Sequence, residues 1–300
     1  MVNFNLSRLA LNPLFIAFKM LKSQPPELAL FYDLEWVPDA AGAKKLFDLK
    51  DDVSELDAMR RLWEHSPSYS EQNPRPFLKY MFSRVVSIAF LSRKLVYRDG
   101  EPTLEFTLNS LPKLPLEADD VDETAIIDKF LYIVGDRCPQ LVGFNSSESD
   151  MQVLIQRAMI NEVRSPAFCK RPNKPWDGPD YFDSRNSEAH LDLLLRFSRG
   201  AMAPKLDEFA KLCGFPGKID VMGDQVTDLW LDRQITKIIE YNQIDTLNTY
   251  LLWLRMVYFA GHIEEEDYVN EQDQFREFLE SESAKPEKAF VADFLAKWSY

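Results

Sequence analysis

Asp33-Leu34-Glu35 closes a short apolar run, Leu28 to Trp36, that reads as a buried strand. Alternate side chains of an extended chain share one face, so the two carboxylates converge on one point. Like charges that close repel unless a cation joins them, and a hard divalent ion is what paired carboxylates suit. A further acid, Asp150, stands just after the run Gln140 to Asn145, where a helical period begins. Tyr241 and Asp245 lie one helical turn apart on a long helical stretch. Each fragment alone has an ordinary structural reading: a solvated strand end, an acid at a helix N-terminus, an exposed Tyr–Asp pair.

Other chemistries are poorly supplied. The three cysteines (Cys138, Cys169, Cys213) have no C-x-x-C spacing, which excludes a disulfide framework and a thiolate zinc site. The 3 histidines (His65, His190, His262) are far apart in the chain. With 10 Gly against 18 Pro, and neither G-x-G-x-x-G nor G-K-[ST], dinucleotide enzymes and P-loop nucleotidases are argued against. Any catalysis therefore runs on carboxylates.

The elements that position these residues follow from periodicity. Strands are expected at Leu28 to Trp36, Val85 to Tyr97, which pairs with Leu104 to Thr107 as a hairpin, and Gln140 to Asn145. Helices are expected over Ser54 to His65 with Ser54 as N-cap, Glu123 to Val134, Ser149 to Glu162, Pro204 to Cys213, Gln225 to Trp230, Arg233 to Gly261 and Asp273 to Glu282. Leu191 to Phe197 is a short apolar run, and Pro166 to Ser187 a long loop. Strands interspersed with helices and then a helical C-terminal half indicate an α/β protein with a mixed sheet.

A hydrophobic fraction of 46% is enough for a sizeable core, and the net charge of −13 speaks against broad coating of nucleic acid. Much of that charge sits late: from Gly261 to Tyr300 eleven Asp and Glu face four Lys and Arg. Residues 1–24 contain an apolar run broken by Asn12-Pro13 and no small-residue cleavage site, so they read as an N-terminal extension packed on the main domain. No uninterrupted apolar stretch is long enough to span a membrane, and the expectation is a soluble, cytoplasmic protein. The division expected is 1–24 extension, 25–263 main domain and 264–300 acidic tail. A solvated appendix is the preferred reading of that tail; a cover for the carboxylate cleft or a partner-binding segment is the other.

Set in order, the fragments carry a resemblance. Asp33-x-Glu35 is followed by Val37-Pro38-Asp39, then Gly143-Phe144-Asn145 through Asp150-Met151-Gln152-Val153-Leu154, then Tyr241-Asn242-Gln243-Ile244-Asp245. Between the last two lie His190-Leu191-Asp192-Leu193, Leu206-Asp207-Glu208-Phe209-Ala210 and Gly214-Phe215-Pro216-Gly217-Lys218. Over about residues 28–263 the chain resembles the DEDD exonucleases of the ribonuclease H-like (DnaQ-like) superfamily, and more narrowly the predicted 3′–5′ exonucleases related to the proofreading domain of family B DNA polymerases. Three positions depart from the usual pattern: Ser149 stands where an aromatic residue is common, Ser146 for a Gly, and Asn242 for a Cys.

The resemblance implies a ribonuclease H-like fold with a mixed five-stranded sheet flanked by helices. It implies two divalent ions, Mg²⁺ or Mn²⁺, held by Asp33, Glu35, Asp150 and Asp245, with Asp33 bridging. Tyr241, four residues before Asp245, would orient the attacking water, as in the tyrosine (DEDDy) type. The implied reaction is hydrolysis at the 3′ end of single-stranded DNA. Alternatives are a ribonuclease D-like exoribonuclease and a non-catalytic nucleic-acid-binding scaffold. Aromatic faces and local cations grip single strands, which makes Trp36, Phe144, Asn145, Lys170, Arg171, Tyr181, Arg185 and His190 the candidate substrate contacts. Lys174, Trp176 and Phe182 share the long loop with several of these. For Phe144 a core position is the preferred reading, and a buried pair is an equal one for His190 and Asp192.

Overall fold

The computed structural model describes residues 21, 24–117, 121–174, 176–183, 187–198, 202–219 and 223–299. The extension over 1–24 lies outside the described residues except for Leu21 and Gln24, and Arg185 lies outside them too.

Strands β1 (Leu28–Pro38), β2 (Ser83–Arg98), β3 (Glu101–Leu111), β4 (Gln140–Gly143) and β5 (His190–Asp192) form one five-stranded sheet in the order β3-β2-β1-β4-β5. β1 and β3 flank β2 antiparallel, while β4 runs parallel to both β1 and β5. The helices, in chain order, are α1 (Ala40–Leu46), α2 (Glu55–His65), α3 (Glu123–Arg137), α4 (Asp150–Ile160), α5 (Leu193–Phe197), α6 (Leu206–Leu212), α7 (Val226–Leu231), α8 (Ile235–Phe259), α9 (Glu265–Ser283) and α10 (Phe290–Lys297). This is the mixed α/β sheet of a ribonuclease H-like fold, with the helical second half in place. Ser54 caps α2 as expected, accepting from Asp57 N at 3.1 Å.

Period-2 alternation along β1 divides the interior. Leu30, Tyr32 and Leu34 join Phe130 and Val134 of α3 and Val153 and Leu154 of α4 in one core. Ala29 and Phe31 point the other way, into a core shared with Leu247, Tyr250, Leu251 and Leu254 of α8. Asp33 and Glu35 continue this second series, so alternation aims both acids at α8. That helix is buried on nearly every side from Tyr241 to Leu254, as expected of a helix with layers both above and below it.

The upper layer is the stretch from 264 onward, and here the solvated-appendix reading is corrected. Phe275 and Leu279 of α9 and Phe294 of α10 are fully buried. Phe275 packs edge-on to Phe106 of β3 at 5.1 Å between centroids, and its ring lies 4.3 Å from that of Tyr250. Glu271 is buried as well, because Arg93 of β2 donates a fork to it at 2.6 and 2.8 Å and the Tyr250 hydroxyl adds a bond at 2.9 Å. Lys288 donates to the Leu108 carbonyl at 2.6 Å and pairs with Glu282. Acidic as it is, this segment is part of the folded body.

Removing one partner of a buried ion pair leaves the other charge without compensation, at a cost of about 3–5 kcal/mol. Glu271→Ala is therefore expected to lower unfolding stability by that amount in urea titrations. A loss below about 1 kcal/mol, typical of exposed pairs, would return the segment to the status of an appendix.

Candidate active site

On one side β1 stays paired with β2 as far as Pro38, but β4 pairs with it only over Ala29 to Phe31. The N–H of Leu34 thus faces no strand, and Asp150 Oδ1 accepts it at 3.0 Å. The turn that allows this is sharp. Asn145 adopts a left-handed φ of 61°, a region Asn tolerates better than most residues. Asp192 accepts from the backbone N–H groups of Asn145 and Ser147 at 2.9 and 2.8 Å, and so fixes the entry to α4.

On the α8 face, one carboxylate oxygen each from Asp33, Glu35 and Asp245 lie within 4.8 Å of one another. Asp33 Oδ2 accepts from the Asn242 amide at 2.6 Å, and that amide's oxygen accepts from the Ser87 hydroxyl of β2 at 2.8 Å. Asp245 Oδ2 is 3.3 Å from Lys218 Nζ. Its Oδ1 is buried with no hydrogen-bond partner. A buried orphan oxygen beside two more carboxylates is a donor set that fits a hard divalent cation. Asp150 stands beside this group with its own oxygens engaged, Oδ1 by Leu34 and Oδ2 by the Ser149 hydroxyl at 2.6 Å.

Burial, and then mutual repulsion, raise these acids together. Asp33 is pushed well up by burial and then by Asp150, Glu35 and Asp245. Glu35 follows through burial and Asp245, with Lys218 opposing. Asp245 is raised by burial against the pull of Lys218. Asp150 rises to about 6, again through burial, with the Ser149 and Leu34 bonds opposing. The Tyr241 phenol is held neutral by burial and by Asp245, Glu35 and Asp33. It accepts a hydrogen bond from Lys218, whose ammonium also lies 4.6 Å from the centre of its ring.

Lys218 and Asn242 received no role from sequence. The signal for Lys218 was available in the Gly214–Lys218 block, which the fold places with care. Asn248 of α8 brackets Gly217, accepting its N–H and donating to its carbonyl, each at 3.0 Å. Asp207 of α6 accepts the Lys218 N–H at 2.7 Å. Gly217 has φ 67°, and a Cβ there would stand 2.5 Å from Asp207 Oδ1. Only glycine lets this loop lie against α6 and deliver the lysine to Tyr241 and Asp245. Asn242 appears in the sequence only as a departure from a common Cys; its amide is what links β2 to Asp33.

The proposed substrate contacts divide. Trp36 follows Glu35 at a β-bulge and is half-buried. Phe144 packs on Phe197 at 6.5 Å, in the second core. Tyr181 is buried, stacks on Phe168 and donates to the Pro139 carbonyl at 2.8 Å. Phe144 comes five positions after Pro139, or about 16 Å of extended chain, so Tyr181 sits at the end of the sheet opposite the acids. The long loop is anchored at that same end. Its Arg171 pairs with Asp180 at 3.0 Å, Lys170 is exposed and Lys174 lies over Trp176. His190 is buried and neutral, lowered to about 4 by burial. Its Nε2 is shared by the Tyr32 and Ser146 hydroxyls at 3.0 and 2.9 Å. Tyr181 and His190 support the frame and Arg171 is held by Asp180; among the described residues no contact joins them to Asp33, Glu35 or Asp245.

Residues 75–298 match a family model described as a predicted 3′–5′ exonuclease related to the exonuclease domain of PolB. The match takes in Asp150, Lys218, Tyr241 and Asp245. It runs on through α9 and α10, beyond the 28–263 span of the resemblance, and leaves Asp33 and Glu35 ahead of it. No curated protein matches the chain.

An acid whose pKa is raised by folding binds its proton more tightly in the folded state, so stability falls as pH rises from the unfolded value through the folded one. In EDTA the melting temperature is accordingly expected to drop from pH 4.5 through the region near 6, where Asp150 titrates, and on to pH 8. Millimolar Mn²⁺ at pH 8 should restore it. Asp33→Asn should raise melting in EDTA at pH 8 and weaken the response to Mn²⁺. A wild-type melting curve indifferent to Mn²⁺ at every pH would contradict a cation site here.

Proposed function

Because the chain belongs to the family of predicted 3′–5′ exonucleases related to the exonuclease domain of PolB, we propose that its carboxylate centre hydrolyses the terminal phosphodiester at the 3′ end of single-stranded DNA. The observation that carries this is the meeting of Asp33, Glu35 and Asp245 within 4.8 Å, with Tyr241 and Lys218 on their rim. The relation to a polymerase's exonuclease domain favours DNA over RNA as substrate.

Asp33, Glu35 and Asp245 would hold Mg²⁺ or Mn²⁺, with Asp150 completing the set. Bound there, such ions supply an activated water and neutralise charge on the departing 3′-oxygen. The protein's own groups do the rest. Asn242 holds Asp33 in one rotamer, so the carboxylate is oriented before substrate arrives. Tyr241, neutral and fixed by Lys218, presents its hydroxyl to position the attacking water by hydrogen bond, as in the tyrosine type of site. Lys218 would have a second use, since its ammonium lies 3.3 Å from Asp245 and from there would offset the negative charge that grows on the phosphate in the transition state.

The test is a time course of labelled DNA and RNA oligonucleotides in Mg²⁺, Mn²⁺ and EDTA. Shortening from the 3′ end is expected in either metal, faster on DNA, and none in EDTA. Asp33→Ala should abolish it in a protein whose circular dichroism matches wild type. Tyr241→Phe should lower kcat roughly tenfold or more while leaving KM nearly unchanged, because orienting a water acts on turnover. Wild-type rates in folded Asp33→Ala would refute the assignment, and a raised KM at equal kcat would move Tyr241 to substrate binding.

A further inference from the structure

A groove of about 490 Å³ opens beside the carboxylates, and its walls are aromatic: Trp36, Trp63, Phe77 and Tyr80 line it, along with Arg75 and Asp228. It meets the centre at three points. Trp36 is the residue after Glu35, re-aimed by the β-bulge between them. Tyr80 lies close enough to Asp150 and Glu148 that their charges, after burial, push its phenol up. Gly223 on the groove wall comes against Tyr241, where a Cβ would stand 3.4 Å from the hydroxyl.

The charges in this groove cancel. Arg75 donates to both oxygens of Asp228, at 2.8 and 3.0 Å, and lies over the Trp63 ring at 5.2 Å. A phosphate entering here would find that cation already paired. Beside the uncharged polar residues Ser83, Gln225 and Thr227, what remains is aromatic surface, most open at Phe77, which is 87% exposed. Sharing one groove with Trp36 and Tyr80, that ring belongs to an exposed aromatic patch and is not a singly scattered side chain.

We infer that this groove binds the unpaired strand behind the 3′-terminal nucleotide by stacking its bases against Phe77 and Trp36, with little contribution from its phosphates. The inference rests on the exonuclease reading and adds to it the means of grip. A chain of net charge −13 is ill suited to hold DNA by counterion release, whereas base–aromatic stacking works on any base and needs no net charge. Two consequences follow for the substrate: affinity depends on having bases near the 3′ end, and it depends only weakly on salt.

The experiment measures binding of 5′-fluorescein single-stranded oligonucleotides by anisotropy, in Ca²⁺, across a salt series. One oligonucleotide is intact, and a second carries abasic sites at the nucleotides preceding the 3′ end. The abasic strand is expected to bind roughly 5- to 50-fold more weakly, in line with the loss of one or two stacked bases. Phe77→Ala, at a position too exposed to disturb the fold, should weaken the intact strand to a similar degree and erase most of the difference between the two. Equal affinities for the two strands, an unchanged Phe77→Ala, a steep salt slope or no binding by wild type would each overturn the groove. Failure of the exonuclease reading shows separately, as intact oligonucleotides after incubation with Mg²⁺ or Mn²⁺.

Discussion

Strand β1 keeps its bonds to β2 through Pro38, while on the other side β4 accompanies it only to Phe31. The centre is built in the space this mismatch leaves. Were the two strands equal in length, a backbone carbonyl would satisfy Leu34 and no carboxylate could stand beside it. Because β4 stops at Gly143, the chain can turn at Asn145 and bring the first residue of α4 to the open edge of β1. The close turn needs Gly143 itself, where a Cβ would meet the Ser146 side chain at 2.4 Å. The other acids come from geometry at right angles to this: alternation along β1 aims Asp33 and Glu35 at α8, which answers with Asp245.

Packing acids together in a low-dielectric setting opposes folding at neutral pH, so the frame around them must resist their separation. Helix α4 is tied to the end of β1 twice. Asp150 bonds Leu34, and two turns later Arg157 donates to Asp39 at 2.7 Å while its other nitrogens grip Glu123 of α3 at 2.8 and 2.6 Å. Asp39 in turn caps α1. On the far side of the sheet, Arg93, Glu271 and Tyr250 tie β2, α9 and α8 together. The acids are thus clamped from both faces by ion pairs that take no part in binding cations.

Four of the five strands and most helices were legible because their periods are simple: alternation in β1 and β2, a helical stripe in α3 and α8, Ser54 before α2. Strand β5, three residues long, showed only as the start of a short apolar run. Asp33, Glu35, Asp150, Tyr241 and Asp245 could be picked out as a set because their order and spacing matched a pattern. The C-terminal helices were misread for a physical reason. In α9 the buried stripe runs Tyr268, Glu271, Phe275, Leu279, Glu282, and two of its members are acids whose partners, Arg93 and Lys288, lie elsewhere in the chain. One-dimensional periodicity scores such positions as surface. The loop cations illustrate the converse: Lys170 and Arg171 are a local basic cluster in sequence, but sequence does not show that Arg171 pairs with Asp180 in a loop anchored at the end of the sheet opposite the acids. Lys218 stood inside a block that carried the resemblance, Gly214 to Lys218, yet nothing in that block says which of its residues reaches Tyr241 and Asp245.

Since α9 and α10 cover α8, the helix that bears Tyr241 and Asp245, the order in which the chain is made has a bearing on when the centre can exist. All the acids have been synthesised by residue 245, but the layer that packs on Tyr250 and Tyr258 comes later. Until it arrives, α8 has one face on the sheet and a wide apolar face in water, a state prone to association. A nascent chain at that stage holds all of these acids before the layer over α8 is in place. Assembly of the centre is therefore expected to be a late event of folding, gated by the docking of its last helices.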